Sequence, residues 1–179
     1  PLPDPPTIVQ QPQPVVVQEG EPASFSVSAT GEGTLAYQWQ REGEDLAGAQ
    51  TSILTLSSTA ASDGGSYRVL VSNEGGVTTS AAANLTVHTP PVITSQPVGV
   101  DLSSGDLLRL SVTATGTGPF SYQWQFNQTP LSTQTEATLE IAVVSLGEAG
   151  QYRVIVTSPG GTVTSASAVV TVQPIQVAN

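Results

Sequence analysis

Cysteine, lysine and methionine are absent from this chain, and histidine occurs once, at His88. Without cysteine there is no disulfide, no thiol nucleophile and no thiolate ligand for zinc. Without lysine, all side-chain positive charge rests on arginine, and the formal net charge at pH 7 is −10. Such a surface repels phosphate, so no nucleic acid partner is expected. A Ser-His-Asp arrangement needs a histidine in a pocket, and His88 stands beside a pair of prolines at the edge of a joint. Paired carboxylates could hydrolyse glycosides only in a cleft, which a small filled domain does not offer. Catalysis is therefore not expected. No apolar run is long enough to cross a bilayer, and there is no initiator methionine or signal peptide. These absences lead us to expect a piece of a longer chain, with no direct membrane insertion.

Aromatic residues are scarce as well, at 5% of the chain, so their placement carries information. Both tryptophans lie in one repeated segment, AYQWQ at 36–40 and SYQWQ at 121–125. The gap-free shift that carries Trp39 onto Trp124 also carries Pro5-Pro6 onto Pro90-Pro91, Gln11-Pro12 onto Gln96-Pro97, Gly20 onto Gly105 and Tyr67 onto Tyr152. Self-similarity of this kind is the mark of tandem modules. We read two domains, 1–88 with a proline-rich lead-in at 1–6, and 89–179, joined by a linker around 88–91. Each is long enough to bury a modest core.

Valine, threonine, serine and glycine dominate, and apolar residues alternate with polar ones between turn signals, which predicts antiparallel strands. Phe25, Val27 and Ala29 share one face of such a strand, and Tyr37 and Trp39 share another. Asn73-Glu74-Gly75-Gly76 and Ser158-Pro159-Gly160-Gly161 read as hairpin turns.

With about seven short strands around a tryptophan, each half resembles the immunoglobulin fold. The resemblance sharpens at Asp63-Gly64-Gly65-Ser66-Tyr67-Arg68-Val69 and at Glu148-Ala149-Gly150-Gln151-Tyr152-Arg153-Val154. These are similar to the D-x-G-x-Y-x-C segment of the family, in which the tyrosine hydroxyl ties a corner to the backbone. Val69 and Val154 stand where one family cysteine belongs, and Val27 and Val112 where the other does. The resemblance thus implies an all-β, two-module Greek-key sandwich with no disulfides, whose core is Val27, Trp39, Tyr67 and Val69 in one module and Val112, Trp124, Tyr152 and Val154 in the other. A disulfide closing such a loop contributes about 4 kcal/mol, and each buried valine roughly 1.5–3 kcal/mol, so the exchange is energetically feasible.

The openings Q-P-x-x-V, the Y-Q-W-Q segments and the S-A-x-A-x-L-T-V ending resemble cysteine-free bacterial Ig-like repeats of the intermediate-set type. That resemblance implies a non-catalytic spacer or presentation module of a larger secreted or cell-surface bacterial protein, with a weak adhesive role as an addition. It also implies a fragment that is monomeric and whose partners are the other domains of its own chain. Lys–Asn and Lys–Asp isopeptide cross-links, which some surface modules form, are excluded by the missing lysine. The alternative is a carbohydrate- or protein-binding module of a multimodular enzyme or surface protein, with a surface glycan or a protein as partner.

Three groups of residues bear on these alternatives. Residues 1–88 hold nine acids against two arginines, while 89–179 hold five against two. Of the acids in the first module, Glu19, Glu42, Glu44 and Asp45 are candidate Ca²⁺ ligands, with Glu21 and Asp63 in turns expected at the same end of the module, because a hard cation takes six to eight oxygens. The alternating acidic spacing of a calcium loop is missing, and no cofactor is expected. Phe126, which stands where the first module has Arg41, falls outside the expected core positions and is a candidate contact residue. Arg68 and Arg153, next to the corner tyrosines, are expected to form surface ion pairs.

Overall fold

Proline has no N–H to give to a ladder, and a proline decides where the first strand of each module breaks. The computed structural model of the protein describes residues 2–175, and the chain divides into two units between His88 and Thr89. Unit 1 runs through β1 (Thr7–Gln10), β2 (Val15–Gln18), β3 (Ala23–Ser26), β4 (Ser28–Thr30), β5 (Ala36–Arg41), β6 (Glu44–Asp45), β7 (Ile53–Leu56), β8 (Gly65–Asn73), β9 (Gly76–Thr79) and β10 (Ala83–His88). Unit 2 repeats the order with β11 (Val92–Ser95), β12 (Val100–Ser103), β13 (Leu108–Ser111), β14 (Thr113–Thr115), β15 (Ser121–Phe126), β16 (Thr129–Pro130), β17 (Thr138–Ile141), β18 (Gly150–Ser158), β19 (Gly161–Thr164) and β20 (Ala168–Gln173). One turn of 3₁₀ helix per unit, Ala61–Asp63 and Leu146–Glu148, precedes β8 and β18.

The ten segments of a unit are seven strands, three of them interrupted, and each interruption has a residue-level cause. Between β1 and β2 lies buried Pro12, between β11 and β12 buried Pro97. There the chain changes sheets: β1 pairs with β4, while β2 pairs with β10 in the larger sheet β2-β10-β8-β5-β6. Val27 and Val112 sit at the second break, where β3 pairs with β7 but β4 with β1, and where β13 pairs with β17 but β14 with β11. At the third break a serine replaces a ladder bond. Ser80, between β9 and β10, accepts on Oγ from the Val69 amide at 2.9 Å, and Ser165 does the same for Val154 at 3.0 Å. The neighbouring amides of Ala81 and Ala166 donate to the side chains of Gln11 and Gln96 at 2.8 and 2.9 Å. Buried polar groups are thus satisfied, and the Q-P and S-A pairs of the sequence have a joint structural reason.

The two cores fill the same space with different residues. Trp39 and Trp124 are both fully buried, and each donates its indole N–H to a backbone carbonyl, Thr51 and Glu136, at 2.9 Å. Where unit 1 has Ala23 and Phe25, unit 2 has Leu108 and Leu110, all buried. A small-plus-large pair is exchanged for two of intermediate size, which conserves volume as close packing demands. Val27, Val69, Val112 and Val154 are all buried in these clusters, as the resemblance implied.

Candidate functional site

The end of each unit where its last strand leaves is built around a tyrosine. Tyr67 and Tyr152 are 1% exposed, and their hydroxyls donate to the carbonyl oxygens of Asp63 and Glu148 at 2.7 and 2.9 Å. Burial pushes both phenols above the ordinary range, Tyr152 to about 12 with help from the Glu148 charge. Asp63 accepts from the Ala60 amide at 2.8 Å, and Glu148 accepts from the Ser145 amide and hydroxyl at 2.6 and 2.7 Å. The Ser145 hydroxyl bond, then the backbone bond, holds the Glu148 carboxyl below its usual value.

The aromatic partner of the corner tyrosine differs between units. In unit 1 Phe25 stacks on Tyr67, with ring centroids 4.8 Å apart. In unit 2, where Leu110 replaces that phenylalanine, Phe126 covers Tyr152 from β15 at 4.9 Å. Phe126 is half-buried and lies across Gly150, whose added Cβ would meet its ring at 2.5 Å. Arg41 occupies the same position in unit 1, donating to the carbonyls of Ser62 and Gly64 and lying 3.9 Å from the Asp63 carboxylate. Gly150 is therefore needed for clearance, while its counterpart Gly65 also has a φ of +148°.

Among the described residues no three acidic or histidine side chains gather in a way that could hold a metal ion. Three of the four calcium candidates are engaged in separate hydrogen bonds. Glu19 accepts from the Ala61 amide at 3.3 Å, Glu42 from the Ser66 amide at 2.6 Å, and Asp45 from the Gln40 side-chain amide at 2.8 Å. Glu44 is exposed beside Asp45 in β6.

Two expectations are corrected. Arg68 and Arg153 form no ion pairs among the described residues; each Nε donates to a glutamine, Gln40 and Gln125, at 2.7 Å. The register explains it, since β5 and β15 place those glutamines directly opposite the arginines. The ion pairs among the described residues are Arg41 with Asp63 and Arg109 with Glu140, the latter at 3.2 Å. His88, read as a linker residue, is instead the last residue of β10, half-buried, with its carbonyl accepting from the Glu19 amide at 2.9 Å. Thr89 belongs to unit 2, where its amide donates to the Thr117 hydroxyl at 2.8 Å.

The glutamines of YQWQ have a role that parity alone did not reveal. Gln38 and Gln123 face outward, yet each donates both amide hydrogens to backbone carbonyls, Trp39 with Leu46 and Trp124 with Leu131, at 2.8–2.9 Å. Their recurrence in both copies was the available signal. On the outer face of unit 1 these residues border a depression of about 370 Å³, lined by Gln38, Gln40, Asp45, Gln50, Leu70 and Val77 among others. No helix among the described residues is long and apolar enough to cross a membrane.

Comparison with known proteins agrees with this geometry. A family model described as "Immunoglobulin domain" matches residues 5–73 and again 90–158. Endoglucanase C of Cellulomonas fimi is 31% identical over 183 residues, covering 97% of this chain and 17% of that protein. Roundabout homolog 1 of Homo sapiens is 30% identical over 187 residues, covering 90% of this chain and 11% of that protein. The chain thus spans less than a fifth of the curated relatives it matches. Among solved structures, an I-band fragment of titin superposes with a TM-score of 0.84 at 20% identity, covering 95% of this chain and 66% of that one. Immunoglobulin domains 1–4 of Sidekick-1 superpose with a TM-score of 0.78 at 22% identity, covering 96% and 49%. At that identity the likeness is one of fold. The repeated match, together with the buried tryptophans and the tyrosine corners, places this chain in the immunoglobulin domain family, of which it carries two tandem copies.

Proposed function

We propose that the chain is a non-catalytic spacer that presents other domains of a larger extracellular bacterial protein. One observation carries this reading. In each unit the strand that begins the larger sheet runs parallel to the strand that ends the unit: Val15 pairs with Leu85 and Gln18 with His88, and Val100 pairs with Val170 and Ser103 with Gln173. Parallel partners point the same way, so the chain enters a unit at one end and leaves it at the other. Contacts at the two ends agree. Asn73, the last residue of β8, donates to the Asp4 carbonyl at 2.9 Å, whereas His88 lies by Glu19 in the turn after β2. Each unit therefore separates its own entry from its own exit, which is what a spacer requires.

Composition supports the same role. The surface is acidic and poor in aromatics, which favours solubility over self-association. The bacterial relative is named an endoglucanase, and a relative from Xenopus laevis is named cell adhesion molecule-related, consistent with modules that serve larger extracellular proteins. Because the chain lacks cysteine, two introduced cysteines are the only labelling sites. Spin labels at introduced cysteines measure the span between the entry and the exit of a unit in the full chain. Labels placed within one unit, at Val92→Cys and Ile175→Cys of unit 2, both exposed, are expected to give a single narrow distance distribution. A distribution as broad as that of a Gly/Ser chain of equal length would overturn the proposal.

A further inference from the structure

We propose that the outer face of β5, β8 and β9 in unit 1 holds a binding site for a neutral saccharide, a role beyond spacing. The site is the depression of about 370 Å³ described above, at the small end of the roughly 300–1,000 Å³ range of ligand clefts. Its polar rim is pre-set by bonds already made. Gln38 is fixed by its two bonds to Trp39 and Leu46. Gln40 is held between Arg68, which donates to its carbonyl, and Asp45, which accepts from its amide. Side chains locked in this way lose little freedom when a ligand arrives.

What these bonds leave over defines the ligand. The second oxygen of Asp45, the second amide hydrogen of Gln40, most of the Gln50 carboxamide and the Ser72 hydroxyl have no strong partner among the described residues; Gln50 makes one long contact, 3.4 Å, to Gln38. This is a mixed set of donors and acceptors, matched by vicinal hydroxyls, each of which can donate and accept. Leu70 and exposed Val77 supply an apolar surface for the C–H face of a sugar ring. The one charged group lining the depression is Asp45, so an anionic ligand is disfavoured and a neutral one fits.

Unit 2 lacks the same combination. Pro130 stands opposite Gln125 where Asp45 stands opposite Gln40, which removes the carboxylate. Thr162 stands in place of Val77 and shares a hydrogen bond of 3.2 Å with Thr157, the counterpart of Ser72. Gln125 is itself 8% exposed, withdrawn from any ligand. The site is therefore a property of unit 1, and unit 2 is its internal control.

The test is an NMR titration of the full chain, uniformly labelled with ¹⁵N, with cello-, xylo- and manno-oligosaccharides and with oligogalacturonate as the anionic control. Saturable shifts of the Gln40 and Gln50 side-chain amides are expected with a neutral oligosaccharide, without shifts of the Gln123 or Gln125 side-chain amides. Asp45→Ala and Gln50→Ala, both at exposed positions, should each weaken binding by about tenfold while leaving the rest of the spectrum in place. The proposal is overturned if no neutral oligosaccharide gives a saturable shift in unit 1, if unit 2 responds equally, if the anion binds best, or if both variants bind as the parent chain does.

Discussion

The Tyr67 hydroxyl reaches 2.7 Å to the carbonyl oxygen of Asp63, four residues earlier, while the Asp63 side chain turns back to the Ala60 amide. One short segment thus satisfies a buried phenol and caps the turn that leads into β8. Because Tyr67 also stacks on Phe25, the bond fixes the corner to the opposite sheet.

Removing the hydroxyl in Tyr67→Phe leaves the packing and deletes the bond, at an expected cost of about 0.5–1.5 kcal/mol. Trp39→Ala opens a cavity in the same core and should cost about 3–5 kcal/mol. Hydrogen exchange read separately on the two units should show both losses in unit 1. Exchange in unit 1 that matches the parent chain for both variants would contradict the packing described here.

Glu148 makes unit 2 sensitive to acid. Its carboxyl lies below the ordinary value of 4.5, so it binds fewer protons folded than unfolded. Its contribution is complete well above pH 4.5 and declines as the pH falls through the lowered folded value. Melting of the parent chain should fall across that window, and Glu148→Gln should flatten the fall for unit 2.

Tyr152 acts at the opposite extreme. Its phenol is raised from 10.0 to about 12, so the folded state keeps a proton that the unfolded state has released. Stability is fully present below pH 10, declines above it, and the contribution is lost as the pH passes about 12. Tyr152→Phe removes this titration, so unit 2 of that variant should lose less stability in alkali than the parent. An equal loss would exclude Tyr152 as the cause.

Gly160 sits in the hairpin between β18 and β19, and a Cβ there would collide with the Thr89 carbonyl at the start of unit 2. Gly160→Ala must displace the Thr89–Pro90 segment and should cost about 1–3 kcal/mol. Gly105→Ala has open space around it but a φ of +99°, so its loss comes from backbone strain alone. Hydrogen exchange at Thr117, whose amide donates to the Thr89 carbonyl, should separate the two, because only the first variant disturbs that bond directly.

The pairing of Arg153 with Gln125 predicts a small, salt-independent effect. Arg153→Met should lower stability by less than about 1.5 kcal/mol, and the loss should be the same at low and high salt, since no carboxylate is involved. A loss that disappears in high salt would restore the ion-pair reading.

The sandwich was legible because its markers are local. Strand alternation, hairpin glycines and the tyrosine segment recur in two copies, and each marker needs only its neighbours in sequence to be recognised. The seven-strand estimate agrees with the architecture once the interrupted strands are rejoined. What was missed lies in register. Nothing in the order of residues says that Gln40 faces Arg68 or Gln125 faces Arg153, and without that register an arginine on an acidic chain reads as an ion pair. His88 was misread for a related reason: the prolines after it mark a joint, but only the parallel pairing with Gln18 shows that the strand runs as far as His88.

By itself, the sequence determined the fold class, the duplication, the absence of disulfides and the exclusion of lysine cross-links, all consequences of composition and of periodicities a few residues long. Tertiary structure decided how side chains distant in sequence share their bonds. It moved the aromatic partner of the corner tyrosine from Phe25 in one unit to Phe126 in the other, tied Glu19 and Glu42 to separate backbone amides, and brought Gln38, Asp45 and Leu70 to one depression. The physical reason is that hydrogen bonds and close packing act over a few ångströms in space, and only the paired strands set which residues come that near.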